Sequence, residues 1–148
     1  MSSYAKNTKI SATNTMNEIQ GLLAKYGYTK FGIDLEENAV YFQVDNKSVK
    51  ISVPKPQIES FRFTETKRRR TDEQTKSAYD QDLKSRWRLI KEKLKIDLEL
   101  IRLNIKNEKE IFMSSFVMKS GKTLAEEWIP KLNNGNTADL LKLPDKSD

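Results

Sequence analysis

The sequence predicts an α+β fold: a three- to four-stranded antiparallel meander, a short N-terminal helix and one long central helix. Three observations predict it. Three short runs between Phe31 and Val53 alternate apolar and polar residues with period two. An apolar series from Tyr79 to Ile105 recurs at steps of three and four. Between them, the basic run Lys67-Arg68-Arg69-Arg70 passes into the second pattern without a proline or glycine.

In order, residues 1–9 are polar and are expected to be a loose N-terminus of a single domain spanning 1–148. Thr15-Met16-Asn17-Glu18 has the spacing of a capping box, so the first helix is predicted to start there. Met16, Ile19, Leu22, Leu23 and Tyr26 form its apolar stripe, and Gly27 stands where a left-handed residue would end it. Phe31, Ile33 and Leu35 then alternate with Lys30, Gly32 and Asp34. Val40, Phe42 and Val44 alternate with Tyr41 and Gln43, and Val49, Ile51 and Val53 with Ser48, Lys50 and Ser52. The polar turns between these runs are short, as in a meander with one buried and one wet face.

Pro54 and Pro56 stop the third strand, and 57–70 reads as a surface arm or linker whose basic end is mobile until bound. Thr71-Asp72-Glu73-Gln74 is a second capping box, opening a helix predicted over 71–112. Its seam is Tyr79, Leu83, Trp87, Ile90, Leu94, Leu98, Ile101 and Ile105. A second stripe, Leu89, Ile96, Leu100 and Leu103, calls for another neighbour, and homo-oligomerisation through the distal half of the helix is expected. Phe116 to Met118 suggests a fourth strand. Thr123-Leu124-Ala125-Glu126 is a third capping box before a short helix that Pro130 should end. Residues 144–148 are expected to be a disordered tail.

Composition bounds the chemistry. Among 148 residues there is no cysteine and no histidine, which removes disulfides, thiolate and imidazole metal ligands, cysteine nucleophiles and the usual general base. No apolar run is long enough for a membrane span, and the start is too polar for a signal peptide, so a soluble intracellular protein is expected. Residues 61–95 hold 12 basic and 6 acidic side chains, whereas the flanking segments are nearly balanced. The surplus therefore marks the centre of the chain as the place to meet an anion.

The candidate nucleic-acid residues follow from that surplus. Lys67, Arg68, Arg69 and Arg70 form the arm, and Arg86, Arg88, Lys91 and Lys95 continue the charge onto the helix. The competing reading is a solvated linker that keeps the chain soluble. Phe61 and Phe63 in the arm, and Tyr41 on the wet sheet face beside Lys50, are the stacking candidates. Trp87 lies on the apolar seam and reads as core rather than as a stacking platform. Asp34, Glu36, Glu37 and Asp45 are close in sequence, as a magnesium site requires, but two sit in a polar turn and no downstream acid has matching strand context. Ser120-Gly121-Lys122-Thr123 echoes the end of a phosphate loop without the upstream glycine, and is set aside. No catalytic residue, metal or cofactor is expected.

The order of landmarks resembles a family of small, largely uncharacterised phage and prophage proteins. The resemblance runs through Ser11 to Gly27, Val49 to Pro56, Arg86-Trp87-Arg88-Leu89, Ile90 to Leu94, Ser120 to Trp128 and Leu143-Pro144. It implies a viral origin, a place in the cytoplasm of an infected or lysogenic bacterial host, and an accessory role in DNA metabolism or in countering host defence. The expectation is a non-catalytic protein that binds nucleic acid, DNA in the first place. The alternative is a counter-defence protein that inhibits a host nuclease or effector or sequesters an anionic nucleotide signal.

Overall fold

The computed structural model describes residues 2–134, with side chains described from residue 12 onward. Helix α1 covers Ser2–Lys25; strands β1 (Phe31–Asp34), β2 (Ala39–Val44) and β3 (Lys47–Ser52) follow. Helix α2 covers Asp72–Arg102, and α3 (Glu108–Phe112) and α4 (Leu124–Asn133) complete the set. The architecture is α+β: an antiparallel sheet in the order β1-β2-β3, with α1 and α2 supplying the other half of its core.

The alternation sets the layers. Phe31 pairs with Phe42 and Ile33 with Val40, while Phe42 pairs with Val49 and Val40 with Ile51. Directly paired residues share a face, so these side chains form one apolar surface. Met16, Ile19 and Leu23 of α1 and Trp87, Leu94 and Leu98 of α2 close over it, all buried. Phe42 anchors the centre, with Tyr28 and Phe112 edge-on at 5.3 and 5.1 Å between ring centroids. Trp87 is fully buried, as its place on the seam predicts.

Each helix end has a local cause. Gly27 has φ +95°, and the Tyr28 and Gly27 amides donate back to the Leu23 and Ala24 carbonyls at 3.0 and 3.1 Å, closing α1 in a Schellman turn. Both predicted capping boxes at Thr71 and Thr123 form, each with reciprocal bonds to the third helical residue.

Several boundaries differ from expectation. Helix α1 begins at Ser2, not at Thr15, so 1–9 is not a loose segment over its described part; Thr15 is a buried interior position. No proline or glycine interrupts Ser2 to Gln20, and extending a helix already packed further along costs little compared with starting one. Helix α2 ends at Arg102 rather than continuing to 112. Asn104 adopts φ +58°, the Asn104 and Ile105 amides donate to Ile101 and Leu100, and Asn107 then caps α3. Leu35 lies beyond β1 and is exposed. In place of a fourth strand, Phe116 makes a single bridge to Val49, and the Val117 amide donates to the Ser48 carbonyl at 2.8 Å. Helix α4 passes through Pro130 to Asn133, forgoing one backbone donor. The tail 144–148 lies outside the described residues.

Candidate nucleic-acid interface

The segment from Phe61 to Arg70 is a folded hairpin, not an extended arm. Phe63 and Arg69 are bridge partners, the Arg70 amide donates to the Arg62 carbonyl at 2.7 Å, and the Thr64 amide donates to the Arg68 carbonyl at 2.9 Å. Thr64 holds the tip: its Oγ1 accepts from the Arg68 amide at 3.0 Å, while its carbonyl accepts from the Lys67 amide. Lys67 takes a left-handed conformation, φ +63°, at the turn.

The base of the hairpin is fastened to its neighbours. Arg62 bridges Glu59, in a 3-10 turn at Ile58–Phe61, and Asp72, in the first turn of α2. The Phe61 ring stands edge-on to Tyr79 of α2 at 5.9 Å. Arg70 turns inward: Nη1 donates to the Phe61 carbonyl at 3.0 Å. It is half-buried and braces the loop, so of the four residues of the basic run only three present their charge outward.

Those three, Lys67, Arg68 and Arg69, are exposed and form no ion pair among the described residues. Phe63 is 59% exposed and is the cross-strand partner of Arg69, so the two side chains leave the hairpin on the same face. An exposed aromatic with adjacent cations is the combination that single strands and phosphate backbones require: a π face for a base and guanidinium donors for phosphate.

The other candidates are not gathered here. Arg88 lies sixteen residues into α2 from Asp72, about 24 Å at helical rise. Arg88, Lys91 and Lys95 do share one face, but Lys91 donates to Glu18 of α1 at 2.6 Å and Lys95 lies 3.7 Å from Glu92. Arg86 falls on another side and pairs with Asp82 at 2.6 Å. Lys84, one turn before Arg88, is a cation on the same face that the charge run did not single out; its i,i+4 spacing was the available signal. Neither it nor Arg88 forms an ion pair among the described residues. On the sheet, Tyr41 and Lys50 are directly paired, and both engage Glu37 at 2.8 Å. The Glu37 carboxyl is held below its ordinary range, first by the hydrogen bond from Lys50. This trio satisfies itself and offers little free charge.

The acids suspected as a metal site have other work. Asp34 accepts from the Glu36 and Glu37 amides in the β1–β2 turn, and Asp45 lies 3.6 Å from Lys109. Ser120 to Thr123 is a turn with Gly121 at φ +87° that leads into the Thr123 cap.

A cleft of about 510 Å³ lies at the foot of the hairpin, between α1, the β1–β2 turn and α2. Met16, Leu35 and Leu83 contribute apolar wall; Glu36, Lys55, Lys76 and Asp80 contribute charge, and Tyr79 a ring. One carboxylate oxygen of Asp80 is buried with no hydrogen-bond partner among the described residues.

No helix among the described residues is long and apolar enough to cross a membrane. No family model, curated protein or solved structure matches this chain.

Proposed function

We propose that this chain is a non-catalytic accessory protein of phage type that binds nucleic acid through the hairpin Phe61–Arg70. The observation that carries the reading is the exposed cross-strand pair Phe63–Arg69 with Lys67 and Arg68 beside it, on a hairpin anchored at both ends. A rigid loop loses little freedom on binding, so its three outward cations and one ring are spent on contact rather than on ordering.

The test is a salt series on single- and double-stranded DNA. Each phosphate neutralised contributes about 0.9 to the slope of log affinity against log salt on duplex. The variant Lys67→Ala/Arg68→Ala/Arg69→Ala is expected to lower that slope by roughly two to three while leaving thermal stability unchanged. Phe63→Ala should weaken single-strand binding more than duplex binding. Unchanged affinity in both variants would remove the reading.

A second reading, sequestration of an anionic nucleotide signal, draws on the cleft, whose lining includes Lys55, Lys76 and the Tyr79 ring, with Glu36 and Asp80 opposing the charge of an anion there. Tight binding of a nucleotide that Lys76→Ala abolishes, with weak DNA affinity in the parent, would place it first.

A further inference from the structure

The outward face of α2 carries large apolar side chains that nothing described covers. Leu89, Ile96 and Leu103 are 71%, 62% and 53% exposed. They recur every seven residues, Leu89 and Ile96 within α2 and Leu103 as its C-cap, so they lie on one stripe about 21 Å long, roughly opposite the buried Trp87, Leu94 and Leu98. An exposed stripe of this kind on a helix whose other side is already packed marks an interaction surface.

We propose that a second copy of the chain covers it, in a parallel pairing of the two α2 helices. The flanks of the stripe are self-complementary. Glu92 lies on one side and Lys93 on the other, at nearly the same height; both are exposed, and each would exchange its present partner on the same helix, Lys95 at 3.7 Å and Asp97 at 2.6 Å, for one across the pair. A two-fold axis along the helices sets Glu92 of each subunit against Lys93 of the partner subunit, twice by symmetry. The antiparallel pairing centred on Ile96 brings Leu89 opposite Leu103 but also places Glu92 against Glu99 of the other copy, a like-charge contact. Heptad spacing with opposite charges on the two flanks thus selects the parallel arrangement. That arrangement also sets both hairpins at the same end of the dimer, because each leads directly into the N-terminus of its own α2. This consequence alone rests on the nucleic-acid reading; the pairing itself does not.

The test needs no nucleic acid. Sedimentation of the full chain over a concentration series is expected to show a dimer of the 17.2 kDa subunit. Ile96→Asp should weaken the dimer by at least about tenfold with an unchanged circular dichroism spectrum, since the side chain is exposed in the monomer. Leu89→Ser serves as the second variant and should act in the same direction. The chain has no cysteine, so Leu89→Cys reports orientation directly. In the parallel pair it forms a disulfide with its own copy under mild oxidant. Glu92→Lys should weaken the dimer, and Glu92→Lys/Lys93→Glu should restore it. A monomer at every concentration, or a dimer indifferent to both Ile96→Asp and Leu89→Ser, overturns the proposal. So does Leu89→Cys that cross-links only to Leu103→Cys, or Glu92→Lys that tightens association.

Discussion

Asn38 shows how much one side chain can organise. It sits at the end of the β1–β2 turn in the left-handed region, φ +55°, and is buried. Its Oδ1 accepts from Trp87 Nε1 at 3.0 Å, and its Nδ2 donates to the Val53 carbonyl at 2.9 Å. One residue therefore satisfies the only polar atom of the largest core side chain and ties the turn to the end of β3. Asn38→Ala should cost about 3 kcal/mol, most of it the roughly 1–3 from orphaning the indole N–H, with the remainder from losing the tolerance of Asn for the left-handed region. That corresponds to a fall of roughly 10 °C in the thermal midpoint. Asn38→Gly removes the same bonds without the backbone strain, so a smaller loss for Gly than for Ala would separate the two effects. A second residue-scale clamp is ionic. The Glu18 carboxyl is held below its ordinary value of 4.5, first by the hydrogen bond from Lys91. A carboxylate depressed in the folded state stabilises the fold above its unfolded pKa, and that stabilisation is lost as pH falls through the folded value. Thermal unfolding followed down through the carboxylate range should show the wild type losing stability below about 4.5, and Glu18→Gln losing less. Parallel curves would mean that the pair contributes nothing measurable.

At the scale of elements, the hairpin is where pattern and structure part company most usefully. Four consecutive basic residues look equivalent in sequence, yet Arg70 is directed onto the Phe61 and Phe63 carbonyls because the Phe63–Arg69 bridge turns it back on the loop. Arg70→Ala should therefore behave as a structural change, lowering thermal stability and broadening the amide signals of 61–69. A Lys67→Ala/Arg68→Ala/Arg69→Ala variant should leave both alone. The strands were legible because apolar residues alternate over four to six positions, most fully in β2, where Val40, Phe42 and Val44 are all buried. The Thr71 and Thr123 caps were legible for the same reason: both partners lie within four residues. The end of α2 was not, because apolar periodicity runs on to Ile105 while a single left-handed Asn104 stops the helix. Neither was the neutralisation of the helix face, since Lys91 finds Glu18 from 73 residues away. Charge runs report which residues are basic; only the packing of α1 on α2 reports which are free.

At the scale of the molecule, the hairpin and the Lys84–Arg88 face are two groups of cations with no ion pair among the described residues, and Lys76 of α2 stands between them in sequence. The hairpin holds the larger share, three outward cations against two. In the parallel dimer the two hairpins share one end, and the geometry changes what a titration should read. One hairpin accounts for about 2.7 in the salt slope, and a pair on the same duplex for about 5. Ile96→Asp, which leaves every cation in place, should therefore lower the slope toward half on a duplex long enough for both hairpins. On a short duplex that admits one hairpin, its slope should match the wild type's. Lys84→Ala/Arg88→Ala should lower the slope by at most about two. If Ile96→Asp is monomeric yet keeps the full slope on the long duplex, each subunit binds by itself and the dimer serves some other end. If the slope halves, shared binding at one end of the helix pair is what couples assembly to nucleic-acid affinity.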